Sequence, residues 1–250
     1  MTTSYNPFSL FDKTILIVGA SSGIGQETAI EASKMGASLI LMGRNNQRLS
    51  ETIKQLEGSN HSYFTLDITD SDAVENVIQE FPRLDGVVIS SGITDIAPIK
   101  FSTKNRFQKV FETNFFAPVD FIRILLKKKK INDCGSIVIL SSIGGISKTS
   151  LANGMYGASK AALTSWTKFL AQEVAQKQIR ANCVCPGMTE TPLIKSGLIS
   201  QEQLDVDKHF YPLKRYGNPK EIGWAVIYLL SDASKWVTGT NLFIDGGISI

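Results

Sequence analysis

Tyr156 and Lys160 in Met155-Tyr-Gly-Ala-Ser-Lys160 stand four residues apart, the interval that puts two side chains on one helix face, one turn apart. A tyrosine with its ordinary pKa of about 10 is a poor acid or base at neutral pH. A lysine ammonium one turn away would favour the phenolate and lower that value. The spacing Y-x-x-x-K alone is common on solvated helix faces. Two other segments give it meaning here, Gly19-Ala-Ser-Ser-Gly23-Ile-Gly25 and Leu140-Ser-Ser142. The first is a glycine-rich turn between an apolar run and a helical pattern. The second sets a serine at the end of another apolar run.

The elements that must position these groups read as alternating strands and helices. Short apolar runs predict strands at Thr14–Val18, Ser38–Met42, Ser62–Leu66, Gly86–Ser90, Ser136–Ser141, Arg180–Val184 and Asn241–Ile244. Amphipathic stretches between them predict helices at Ile24–Met35, Asn46–Glu57, Ala73–Phe81, Lys104–Lys129, Met155–Gln176 and Pro219–Ser231. Repeated strand–helix units imply a parallel sheet covered on both faces. Ile15-Leu-Ile-Val18 and Ile137-Val-Ile-Leu140 are apolar throughout, as strands buried on both sides should be. The expected fold is α/β: one domain over residues 1–250, a doubly wound Rossmann-like sheet of about seven parallel strands. Thr189 to Tyr216 breaks the rhythm, with Pro192 and Pro212 near its ends and Gly197 inside. A connection of that length reads as a substrate lid over 189–216, or as a surface excursion with a short helix.

Composition narrows the function classes. The chain has 250 residues, 43% of them apolar, and a net charge of only +3, which gives no electrostatic footprint for nucleic acid. Three cysteines and two histidines make neither a disulfide framework nor a metal cluster. Cys183 and Cys185 share one face of a strand and read as small buried hydrophobes rather than a redox pair. No apolar run is long enough to span a bilayer, and the N-terminus lacks the pattern of a signal peptide. The expectation is a soluble, cytoplasmic protein without membrane, nucleic-acid or metal partners.

Gly19, Gly23 and Gly25 follow the first strand and open the first helix, where glycines let the backbone approach a pyrophosphate at a positive helix N-terminus. Ser21 and Ser22 could add hydroxyl donors. At the end of the second strand an acid would bond a ribose hydroxyl and an arginine would receive a 2′-phosphate. The chain reads Met42-Gly43-Arg44-Asn45, so Arg44 favours NADPH over NADH, with Arg48 as a competing cation. Asp67 and Ile68 follow the third strand and could hold the adenine. Asp70 or Ser71 beside them suits a helix cap.

Taken in order, these motifs resemble the short-chain dehydrogenase/reductase family nearly end to end, with 3-oxoacyl-acyl-carrier-protein reductases among the similar members. The resemblance also rests on Asn114 in Glu-Thr-Asn-Phe, on Asn182-Cys-Val-Cys-Pro186-Gly187 and on Val237-Thr-Gly-Thr-Asn-Leu-Phe-Ile-Asp-Gly-Gly247. It implies that Tyr156 exchanges a proton with the substrate oxygen. It implies that Lys160 holds the nicotinamide ribose and lowers the tyrosine pKa, that Ser142 bonds the carbonyl or alkoxide, and that Asn114 supports a water relay to Lys160. Ile24, Ser90, Gly92, Pro186, Gly187, Thr189 and Thr191 fall in its cofactor-binding segments. Three departures stand out. Val18 replaces the usual threonine before the first glycine. Ile89-Ser90-Ser91-Gly92 replaces Asn-Asn-Ala-Gly. The interval from Ser142 to Tyr156 is one residue longer than expected, so Ser141 competes as the active serine, or the loop bulges.

The reaction implied is hydride transfer between a nicotinamide and a carbonyl or secondary alcohol. Expected pocket residues are Ile93, Ile96, Ile99, Ile143, Ile146, Leu193 and Leu198, with no arginine for a free carboxylate. That favours an apolar or thioester-linked ketone over a small keto acid. Lys127-Lys-Lys-Lys130 reads as a solvated helix end complementing the macrodipole, or as the docking site of an acidic carrier protein. Apolar residues on both long central helices, including Phe111, Phe115, Phe116, Phe121, Trp166 and Phe169, are consistent with a homodimer or homotetramer. Two other functions compete: an NAD-linked dehydrogenase of a sugar, polyol or steroid-like alcohol, and a catalytically silent nucleotide-binding scaffold or sensor.

Overall fold

The computed structural model describes residues 5–192, 194 and 200–250. Strands β1 (Thr14–Val18), β2 (Ser38–Gly43), β3 (His61–Thr65), β4 (Leu84–Ile89), β5 (Ile131–Leu140), β6 (Arg180–Pro186) and β7 (Asn241–Ile244) form one sheet. Its order is β3-β2-β1-β4-β5-β6-β7, and every neighbouring pair is parallel. The helices are α1 (Gly23–Lys34), α2 (Asn46–Ile53), α3 (Ser71–Glu80), α4 (Lys104–Phe111), α5 (Ala117–Lys127), α6 (Gly154–Val174), α7 (Gln201–Lys208) and α8 (Pro219–Leu230).

Alternation along each strand sorts side chains between two cores. Ile15 and Ile17 of β1 join Ala29 and Ala32 of α1 and Ile222 and Val226 of α8. Leu16 and Val18 face the other way, toward Phe121 and Leu125 of α5 and Leu163 of α6. Each fully buried isoleucine or leucine contributes about 1.5–3 kcal/mol. A sheet buried on both faces needs such side chains at every position, which is why these strands read as unbroken apolar runs.

Most element ends fall within two residues of expectation; α2 stops at Ile53 rather than Glu57, and two departures are larger. β5 begins at Ile131, five residues before Ser136, because Leu84 pairs with Ile131 ahead of a register shift. The polar residues between, with Cys134 at φ 63°, carry no strand pattern. The single long helix expected over Lys104–Lys129 is divided: a π-helical turn, Glu112–Phe116, separates α4 from α5. Such turns occur often at functional sites, and this one carries Asn114.

The basic run is partly committed to the fold. Lys128 pairs with Glu75 of α3 at 3.0 Å. Lys130 donates to the Gln79 carbonyl at 2.9 Å and to the Phe81 carbonyl, closing the end of α3. Phe121, expected on a second apolar face, lies in the core, whereas Phe116 and Phe169 are exposed. Cys183 and Cys185 are fully buried free thiols, pushed up by burial to about 11 and about 12. No metal-holding cluster occurs among the described residues, and no helix among them is long and apolar enough to cross a membrane.

Candidate active site

The first turn of α1 has no capping side chain, as in α4, α5 and α6 and unlike the other four helices. Asn45, Asp70, Ser200 and Asn218 each cap a helix through a side-chain oxygen. Ser22 caps α1 with no side-chain hydrogen bond, and no acid lies in the first turn. The leading amides, with the positive end of the helix dipole, are left to an outside anion. The backbone there is packed too closely for side chains. Gly19 has φ +87°, and a Cβ on Gly25 would stand 2.3 Å from the Gly19 carbonyl oxygen. Gly19 and Ala20 donate to the Met42 carbonyl at 2.8 and 3.2 Å, tying the turn to the end of β2.

That turn forms one wall of a cleft of about 300 Å³. Gly19, Ser21, Ser22, Gly23, Ile24, Arg44, Asp67, Ile68, Ser90, Gly92, Tyr156, Lys160 and Thr191 all line it. Arg44 Nη1 lies 3.6 Å from Asp67 Oδ2, so the two groups expected at opposite ends of the adenosine half meet at the same rim. Burial pushes the Asp67 carboxyl up, but bonds from Thr69 and the nearby Arg44 charge outweigh it and hold the pKa below its ordinary value. Arg48, the competing cation, is not among the lining residues of this cleft; its backbone amide serves the Asn45 cap. Gly25 sits beneath the turn, outside the cleft lining. The residues present fit a dinucleotide: a close-packed glycine turn, uncapped amides and a cation at the end of β2.

A second cavity, about 610 Å³, opens on the other side of Tyr156. Ile24, Ser141, Tyr156 and Thr191 line both spaces, so Tyr156 stands at the junction. Pro186, Gly187 and Thr189, expected at the cofactor, line this second cavity. The two serines after β5 separate cleanly. The Ser141 hydroxyl turns into α6, 3.0 Å from the Lys160 carbonyl and 2.6 Å from Thr164 Oγ1. The Ser142 hydroxyl faces the cavity, accepts from the Gly144 amide at 3.0 Å and lies within reach of the Tyr156 phenol. The extra residue before Tyr156 is taken up by a folded loop, with left-handed Ala152 at φ 61°. A Cβ on Gly145 would lie 2.4 Å from the Gly157 carbonyl oxygen, so this loop packs directly on the first turn of α6.

Lys160 is 4% exposed. Its ammonium donates to the Leu140 carbonyl at 2.8 Å and sits 6.0 Å from the Tyr156 ring centroid. Burial pushes it down to about 8. Tyr156 is raised above its ordinary value: burial raises it, and the Ser142 hydroxyl only partly opposes. Asn114 is fully buried. Its side chain grips the Ile93 backbone from both sides, accepting from the amide at 2.8 Å and donating to the carbonyl at 2.9 Å, and donates to Ser159 Oγ at 3.0 Å. It therefore braces the Gly92–Ile93 turn beside Lys160 and makes no direct bond to the ammonium.

Sequence reasoning misplaced several lining residues and missed others. Ile96 and Ile143 line the second cavity, but Ile93 lies on the nucleotide side. Ile99 is 88% exposed, and Ile146 packs on the core. Leu193 and Leu198 lie outside the described residues. Lys148, Asp207, Tyr211 and Tyr216 were not singled out, although the loop 143–153 and the lid that carry them were expected to line the pocket. The two tyrosines are nearly edge-on at 5.5 Å. Tyr211 accepts from the Met188 amide at 3.1 Å, and Tyr216 donates to the Leu204 carbonyl and to Asp207 Oδ2, each at 2.9 Å. They belong to the segment read as a lid. Its base is pinched shut where Met188 and Glu190 exchange backbone hydrogen bonds with Gly217.

An open parallel sheet with a nucleotide-shaped cleft at its carboxyl edge and a serine–tyrosine–lysine set beside it defines a nicotinamide-type oxidoreductase architecture. The family profile described as enoyl-(acyl carrier protein) reductase matches residues 19–249, and the chain belongs to the short-chain dehydrogenase/reductase family. It is 32% identical over 244 residues to a 3-oxoacyl-acyl-carrier-protein reductase of Thermotoga maritima, covering 95% of this chain and 98% of that one. A solved dehydrogenase/reductase from Sinorhizobium meliloti superposes with a TM-score of 0.90 at 31% identity, over 98% of both chains. A solved short-chain dehydrogenase/reductase of Brucella melitensis, described as a glucose/ribitol dehydrogenase, gives a TM-score of 0.90 at 29% identity, over 98% of this chain and 100% of that one. The protein is an oxidoreductase of the CH–OH/C=O class.

Proposed function

We propose that the protein is an NADPH-dependent reductase that converts a ketone or 3-oxoacyl thioester to the secondary alcohol. The observation that carries this is the meeting of two cavities at Tyr156, with Ser142 on one side and Lys160 on the other. The nicotinamide, when bound, supplies the hydride. Ser142 holds the carbonyl oxygen by a hydrogen bond. Tyr156 donates its proton to that oxygen as negative charge develops there, which requires hydrogen-bond reach. Lys160 orients the ribose; the expected lowering of the phenol by its charge is outweighed, since burial leaves Tyr156 above its ordinary value with Ser142 alone opposing. Asn114 holds the Gly92–Ile93 turn and so the floor beside Lys160, in keeping with a water relay to it. Arg44 receives the 2′-phosphate; its pairing with Asp67 is broken or shared when it does. The second reading, NAD-linked alcohol oxidation, is favoured by Asp67 at the same rim, a carboxylate that could accept from ribose hydroxyls.

In this reading residues 1–250 form one cofactor-binding and catalytic unit, 189–216 is its lid, and it works in the cytoplasm. Exposed Phe116 and Phe169 suit a homodimer or homotetramer. An acidic carrier would have Lys127 and Lys129 available, since Lys128 and Lys130 are engaged with α3. The test is NADPH consumption on mixing the purified protein with a 3-oxoacyl thioester and with simple ketones. Turnover of these with NADPH is expected. Oxidation of alcohols with NAD alone would favour the second reading, and no turnover in either direction would overturn both.

A further inference from the structure

The second cavity holds a charge that its apolar walls do not explain. Lys148 is the one cation among its described lining residues, and Asp207 the one acid. Asp207 already accepts from the Tyr216 hydroxyl at 2.9 Å. Lys148 makes no ion pair with any described residue. The residue as a whole is half-buried against the cavity.

The main chain fixes where that ammonium can reach. The amides of Ile146, Ser147 and Lys148 all converge on the Ile143 carbonyl, at 3.1, 3.1 and 3.2 Å, and the Gly145 amide closes onto the Lys148 carbonyl at 3.0 Å. Gly145 in turn is packed on Gly157, beside Tyr156. The loop that presents Ser142 therefore also presents Lys148 to the same cavity. Thr149 and Ser150 follow it on the lining and add two hydroxyl donors. A lysine with neighbouring hydroxyls is a donor set for an anion.

We propose that the substrate is a ketone carrying one anionic group, a carboxylate or a phosphate, on the same molecule and within the same cavity, and that Lys148 pairs with that group. This rests on the reductase reading and specifies its substrate. It departs from the preference for an apolar or thioester-linked ketone drawn from the residue pattern, which found few charges and no arginine placed for a carboxylate. The apolar wall of Ile143, Met188, Ile194 and Leu204 then holds the carbon chain between the anion and the reacting carbonyl. The anion lies inside the cavity, not on a carrier protein docked outside it.

The experiment compares matched ketones: a neutral keto ester, its free keto carboxylate, a phosphorylated ketone, and a neutral 3-oxoacyl thioester of N-acetylcysteamine. Each is assayed with wild type, Lys148→Gln and Lys148→Arg. Lys148→Gln should raise KM for the carboxylate, the phosphate or both by on the order of tenfold, the loss of one charge-assisted hydrogen bond. kcat, and both constants for the neutral substrates, should stay near wild type. Lys148→Arg should recover most of the anionic affinity. Which of the two anions shows the effect names the group. Equal changes on charged and neutral substrates, or none on any, would overturn the proposal while leaving the reductase reading intact. Wild type inactive on all four would bring down the reductase reading, and this inference with it.

Discussion

The two cavities that meet at Tyr156 are built from different materials. The nucleotide cleft is mainly backbone and strand ends: a glycine turn tied to β2, the uncapped start of α1, and residues that leave β3 and β4 at the sheet edge. The second cavity is mainly side chains on loops, with Lys148 from one excursion and Tyr211, Tyr216 and Asp207 from another. A wall made by backbone at the edge of a rigid sheet can change little without losing its shape, because a single Cβ collides there. A wall made by loop side chains can be re-tailored residue by residue. The chemistry sits on the boundary, held by α6 and the end of β5.

The largest effect should come at that boundary. Tyr156→Phe removes the proton donor and should lower kcat by about 10²–10⁴-fold, the usual weight of a general acid, with NADPH still bound. Wild-type rates in this variant would dissolve the boundary role. Next, Gly25→Ala places a Cβ 2.3 Å from the Gly19 carbonyl oxygen. It should cost about 1–3 kcal/mol of stability, as overpacking does, and abolish tight dinucleotide binding; calorimetric melting and a fluorescence titration check both. Normal binding would show that the turn yields and that the backbone wall is less rigid than it looks.

Arg44→Ala should weaken NADPH by roughly tenfold, one charge-assisted contact, and leave NADH unchanged. Equal losses for both nucleotides would remove the 2′-phosphate role. The pH profile sharpens the boundary further. Lys160 keeps its charge below about 8 and loses it above, while Tyr156, raised by burial, keeps its proton through that range. Ketone reduction should therefore decline severalfold as pH rises through about 8, and a profile flat across the alkaline range would show that the ammonium is not needed. The smallest effect concerns neither cavity. Lys127→Glu with Lys129→Glu, which spares the Lys128–Glu75 pair, should slow a carrier-bound substrate severalfold and leave a free ketone unaffected; an equal change on both would reduce the basic run to its role in holding α3.

Much of this was legible beforehand because it is local. Helical spacing set Tyr156 one turn from Lys160, apolar runs marked the strands, and three glycines announced a turn that could admit only backbone. Burial of both sheet faces leaves that record in consecutive residues. What neighbouring residues could not decide was how distant segments meet. Ser141 and Ser142 are adjacent and chemically identical, and only the packing of α6 sends one hydroxyl into the helix and the other into the cavity. Arg44 and Asp67 come from separate strands and become partners only because β2 and β3 pair. The upward displacement of the Tyr156 pKa is also tertiary, since burial outweighs the neighbouring donor. Lys148 lay in a loop read as pocket wall, but nothing local set it apart, because a lysine in a loop is ordinarily solvated. It lines the second cavity on a loop whose Gly145 packs on Gly157. The amino-acid order thus determined the sheet, the turn and the reactive pair through short-range periodicity, while the three-dimensional packing alone decided which hydroxyl, which charge and which wall the substrate would meet.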